Sequence, residues 1–116
     1  MGQDELLTAF LRSDVVGGIE YIATDDLRTV GERFFAAARS LGHDPGSLTP
    51  EGLRATLEQA LPGQYPPQDP LGQRTIDILR TYLAFLEPRL APGSARALVE
   101  TLEDCAEPFR ERVREA

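Results

Sequence analysis

Few side chains in this sequence can do covalent or acid–base chemistry. Histidine occurs once, at His43, within the polar run His43-Asp44-Pro45-Gly46, and cysteine occurs once, at Cys105. A nucleophile needs a base within hydrogen-bond reach. Cys105 falls on an apolar helical stripe, where a cysteine behaves as a small hydrophobe, and His43 reads as a surface residue of a turn. One of each is also too few for zinc, which takes several cysteine or histidine ligands. The carboxylates are the remaining candidates. Glu100, Glu103, Asp104, Glu107 and Glu111 recur at helical spacing, and magnesium can be held by carboxylates alone.

A magnesium-dependent helical hydrolase of nucleotides would need paired carboxylates on two helices. Glu100-Thr101-Leu102-Glu103 gives one such pair, whereas Asp77 and Glu87 stand alone. The simpler reading is a solvated charged face, balanced by Arg96, Arg110 and Arg114. No metal and no cofactor is expected. Val15-Val16-Gly17-Gly18-Ile19 lacks both the lysine and the spacing of a phosphate-binding loop, so its paired glycines are expected to make a bend.

All twelve basic side chains are arginine. GC-rich coding accounts for that composition, but its physical consequence stands whatever the cause. Each positive charge is a planar, permanently ionised fork suited to pairing with carboxylates, and none can serve as a Schiff-base or general-base amine. The net charge of −7 opposes non-specific binding to nucleic acid and docking on anionic lipid, and favours basic protein partners. The third apolar segment, with Arg54 set against Glu51 and Glu58, is too acidic for a recognition helix in DNA. A single cysteine excludes an intramolecular disulfide and fits a reducing cytoplasm. No apolar run approaches the ~20 residues of a membrane span. The acidic start Met1-Gly2-Gln3-Asp4-Glu5 is unlike a signal peptide, and Leu6 stands where myristoylation wants Ser or Thr. A cytoplasmic protein is expected.

What remains is recognition by surfaces. Tyr65 lies in the stiff connector Gln64-Tyr65-Pro66-Pro67-Gln68, where it could anchor in a partner's pocket or fold back over the end of the bundle. Phe34 and Phe35 are adjacent on a helix, so their side chains diverge by about 100°. One is expected at the stripe edge or at an interface. Tyr65, Phe35, Glu100, Glu103 and Glu107 are therefore the candidate interface residues.

The elements that must position them follow from periodicity and punctuation. Leu6, Leu7, Phe10, Leu11 and Val15 predict a first helix over 4–14. Residues 19–23 fit either a helical continuation or a short strand, and helix is favoured because one strand would lack a partner. Leu27, Val30, Phe34, Ala38 and Leu41 mark a second helix, capped by Thr24 or Asp25 and closed by Gly42. Thr49-Pro50 opens a third helix, with Leu53, Leu57, Ala60 and Leu61 inward and Pro62-Gly63 as its stop. Asp69-Pro70 opens a fourth, which Pro88 ends or kinks. Its apolar face, from Leu71 through Ile76, Ile78, Leu79, Tyr82, Leu83, Phe85 and Leu86 to Leu90, is wide enough to imply contact from several directions. Ser94 is placed as cap of a fifth helix with Ala95, Leu98, Leu102, Cys105, Phe109 and Val113 as its apolar stripe and a kink or break at Pro108.

The fold class that results is all-α, a four- to five-helix bundle with short Pro/Gly-punctuated connectors, in a single helical domain over 1–116. The expected function is that of a small acidic helical protein-interaction module, a regulatory adaptor or a neutralising binder of a basic partner. A bundle that leaves the wide fourth helix partly uncovered would also suit a homodimer. The alternatives are a helical ligand-binding or sensor domain, with Tyr21, Tyr82 and the phenylalanines lining a cavity, and the magnesium-dependent nucleotide hydrolase. The inventory favours binding over catalysis.

Overall fold

The computed structural model describes residues 2–14, 16, 23–66 and 69–115. It is all-α, with no strand among those residues. The helices are α1 (Gly2–Leu11), α2 (Thr24–Ser40), α3 (Pro50–Ala55), α4 (Leu71–Leu86) and α5 (Ser94–Glu115). The two readings proposed for 19–23 fall largely outside the described residues, as do Val15 and Tyr21. Among the described residues, no helix is long and apolar enough to cross a membrane.

Punctuation works as the residue types require. Thr49 accepts a hydrogen bond from the Gly52 N–H at 3.0 Å, with Pro50 at the first helical position. After α2, Gly42 adopts φ +82. The Gly42 N–H then reaches the Arg39 carbonyl and the His43 N–H reaches the Ala38 carbonyl, both at 2.9 Å. This reciprocal pair satisfies two carbonyls the helix end would leave bare. Two expected caps are displaced. Ala23, with no side-chain bond, precedes α2, and Asp25 and Asp26 support its first turn through their charge instead. Ser94 is the first residue of α5, entered from Gly93 at φ +86.

Pro62 ends the third segment less abruptly than expected. A proline has no N–H to give the carbonyl four residues back and its ring crowds that carbonyl. The chain responds by widening into a π-turn over Thr56–Ala60 and then tightening into a 3-10 turn over Leu61–Gln64. The Glu58 carbonyl, deprived of Pro62 as donor, accepts instead from Arg112 Nη1 of α5.

Pro108 neither breaks α5 nor ends it, which corrects the expected break. The helix runs through to Glu115. Pro108 lies on the exposed face, and so does Asp104, whose carbonyl loses its donor. Water can replace that bond, while buried Phe109 and Val113 hold the last turns in the core.

One apolar core draws on all five helices. Tyr82 of α4 is its hub. Phe10 meets it edge-on at 5.2 Å between centroids, Phe35 at 5.6 Å and Phe34 at 5.8 Å. The Tyr82 hydroxyl donates to the Pro45 carbonyl at 2.8 Å, which ties the loop before α3 to the core. Thus α4 is the central helix its wide apolar face implies, packed on α1, α2 and α5. Backbones approach closely at Gly31, against Leu7, and at Gly72, against Val113. The Gly72–Val113 contact and the Arg80–Glu103 bond show that α4 and α5 run antiparallel.

Candidate functional site

The five candidate interface residues separate into two groups. The aromatic pair is corrected by the structure: neither ring is exposed. Phe35 is 2 % and Phe34 1 % exposed. Their divergence on α2 does not expel either one, because α2 is covered on one side by α4 and on another by the turns of 56–64. Tyr65 folds back instead of projecting and is 6 % exposed. Its ring meets Phe109 edge-on at 5.8 Å, and its hydroxyl bonds Thr75. Thr75 spends its own proton on the Leu71 carbonyl at 2.8 Å, so Tyr65 is the donor. Arg33 lies over the Tyr65 ring at 4.6 Å and reaches Asp69 at 2.9 Å. The other Asp69 oxygen accepts the Leu71 N–H at 3.0 Å. These links pin the connector and the start of α4 onto α2. Burial pushes the Tyr65 hydroxyl up to about 12, partly opposed by its Thr75 bond and by Arg33.

Glu100, Glu103, Asp104 and Glu107 of α5 do lie at the surface, but each already faces an arginine. Glu103 accepts from Arg80 at 2.7 Å, and Arg80 also holds Asp77 at 2.9 Å. Glu100 lies 3.7 Å from Arg96, Asp104 3.7 Å from Arg54, and Glu107 3.7 Å from Arg110. The Arg80 bond holds the Glu103 carboxyl below its ordinary range, and the same bond raises Arg80. No three of His, Cys, Asp and Glu are grouped to hold a metal among the described residues.

Cys105 is buried, and burial pushes its thiol up, with Arg54 opposing. It lies against a small surface pocket beside Pro108 and Arg112, while His43 sits against Gly52 at the start of α3. The two do not form a catalytic pair. Of the aromatics proposed for a ligand cavity, Tyr82, Phe10, Phe34, Phe35 and Phe85 pack on one another and Phe109 packs on Tyr65.

A groove between α4 and α5 was missed. It holds about 380 Å³ and is floored by Leu83, Ala84, Ala95 and Val99. Arg80, Glu87, Arg96 and Glu100 form its rim. Of these only Glu100 is among the candidate interface residues read from the sequence. A usable signal was present: Ala84 and Val99 are apolar residues on helix rows otherwise occupied by Asp77, Arg80, Arg96 and Glu103. The small side chains of Ala84 and Ala95 leave the space, and the charges on both walls keep an apolar floor soluble. Chemically, the groove offers no serine, threonine, cysteine or histidine, and its carboxylates, Glu87 and Glu100, sit on opposite walls. It offers room for apolar side chains and four charges to orient them. Comparison with protein families, with characterised proteins and with solved structures finds no match.

Proposed function

We propose that this chain is a small acidic helical protein-interaction module whose partner seats apolar side chains in the α4–α5 groove. The observation that carries this reading is the groove itself, an apolar floor framed by two arginines and two glutamates on rigid helices. Buried apolar contacts at the centre of an interface supply affinity, and a charged rim supplies orientation. The excess of seven negative charges adds a long-range bias towards basic proteins at encounter. It is less suited to carry the binding alone, since four α5 carboxylates already face arginines. An adaptor or neutralising binder that docks through shape first and charge second is the function these features support.

The test is affinity capture from a lysate of the source cells, with the wild-type chain beside Val99→Arg. Val99 is half-buried at the groove floor, so arginine there blocks the seat while its head can still reach water. A stoichiometric partner retained by wild type and lost by Val99→Arg is the expected result. A partner held equally by both would overturn the groove as the binding surface.

A further inference from the structure

We infer that the α4–α5 groove is the seat of a two-fold homodimer, a second copy of this chain being its occupant. This rests on the groove being an interaction surface, as proposed above, and goes further by identifying what lies in it.

Self-association of this chain faces an obstacle, since each copy carries −7 and two copies repel. A stable contact must therefore use a face whose own charges match themselves. The rim of the groove balances, with Arg80 and Arg96 against Glu87 and Glu100. A rim meant for a basic segment would be acidic throughout, and these arginines would repel such a segment.

The order of the charges matters more than their sum. Because α4 and α5 are antiparallel, Glu87 and Arg96 flank the groove at the end where the two helices are joined. Arg80 and Glu103, bonded to each other, mark the far end. Ala84 and Val99 lie between. At each end an α4 residue of one sign thus stands across from an α5 residue of the other. A two-fold axis along the groove lays α4 of one copy on α5 of the other. That operation brings Glu87 over Arg96 and Arg80 over Glu103, each contact occurring twice as an isologous interface requires. The apolar floors meet at the centre.

Two of these groups are poorly used within one copy. Glu87 makes no ion pair within 4 Å among the described residues, and Arg96, 87 % exposed at its side chain, stands 3.7 Å from Glu100. The second copy supplies the missing partner for both. Between its charged ends the face is about 11 Å long and 20 Å wide, smaller than a standard-size interface, so a weak dimer with a dissociation constant of about 100 µM is expected.

The experiment is sedimentation equilibrium on wild type, Glu87→Arg, Arg96→Glu, and an equimolar mixture of the two variants, with circular dichroism as the check on folding. All these positions are exposed. Each single variant sets like charges against each other twice and is expected to weaken the dimer at least ~tenfold. The mixture restores both opposite-charge contacts in a heterodimer and is expected to return to within about threefold of wild type. A wild-type chain that stays monomeric to about 1 mM would overturn the dimer while leaving the groove reading to the Val99→Arg capture. A dimer indifferent to both swaps, or one that the mixture does not restore, would overturn this site for it.

Discussion

The α4–α5 crossing can be tested at Gly72, because there the structure reverses an ordinary expectation. Replacing a helical glycine by alanine stabilises a helix by up to ~1 kcal/mol, less in a first turn such as the one Gly72 occupies. Here the added methyl would lie 2.2 Å from Val113 Cγ1 and 3.0 Å from Val113 Cβ. Val113 is fully buried, and a β-branched side chain has one strongly preferred rotamer in a helix. The clash must be relieved by moving α5 away from α4, and overpacking of this kind costs about 1–3 kcal/mol. A net loss of about 1–2 kcal/mol follows for Gly72→Ala, a fall of roughly 3–10 °C in Tm for a domain of this size. Gly31→Ala provides the contrast. Its methyl would meet Leu7 Cδ1 at 2.5 Å, but that atom ends a flexible side chain and can turn aside, so stability should change by less than ~0.5 kcal/mol. Urea unfolding of both variants, with Val113→Ala and the Gly72→Ala/Val113→Ala double variant, gives the coupling between the two positions. If Gly72→Ala proves as stable as wild type or more so, the two helices do not cross here, and the groove they enclose is misplaced.

Other expectations follow from single contacts. Tyr65→Phe removes the hydroxyl bonded to Thr75 while Thr75 keeps its Leu71 acceptor, so denaturant unfolding should show a loss of about 1 kcal/mol. Tyr65 titrates near 12 in the folded chain and about 10 when unfolded. Its burial therefore contributes fully below pH ~10, and the contribution is lost as pH rises towards 12, by about 1 kcal/mol per unit. Tyr82, also raised by burial, steepens the loss, and unfolding followed from pH 8 to about 12 should show a shallower decline for Tyr65→Phe than for wild type. Arg80→Ala should let the Glu103 carboxyl rise towards its ordinary range in an NMR titration, while stability falls by less than ~1 kcal/mol because both groups are largely exposed. Arg112→Ala should cost about 1 kcal/mol by unbonding the Glu58 carbonyl, and less in a Pro62→Ala background, where an N–H is restored to that turn.

Local rules made much of this fold readable. Thr49-Pro50 and Gly42 dictate backbone conformations by themselves, and the stripes of α2 and α5 record which face is buried. The wide apolar face of α4 correctly implied a central helix. What could not be read depends on distant partners. Phe35 is buried because the turns after α3 cover that side of α2. That Tyr65 folds back is one of two readings the sequence leaves open, and Thr75 and the Arg33 guanidinium, which receive it, decide between them. The α5 carboxylates read as a charged face balanced by arginines of the same helix, as Arg96 and Arg110 do for Glu100 and Glu107, but Arg80 and Arg54 reach Glu103 and Asp104 from other helices. Pro108 was read by its cost alone, without the exposed Asp104 carbonyl and the buried flanks that make it tolerable. The groove escaped notice because its walls come from two helices, and only their antiparallel packing sets Ala84 beside Val99.

The most direct measurement of the central claim is a map of backbone amide shifts as the chain is concentrated and then titrated with the captured partner. Changes centred on Arg80, Ala84, Ala95, Val99 and Glu100 are predicted, with α1 and α3 silent. Changes centred on α1–α3, with the α4–α5 face unmoved, would contradict the account.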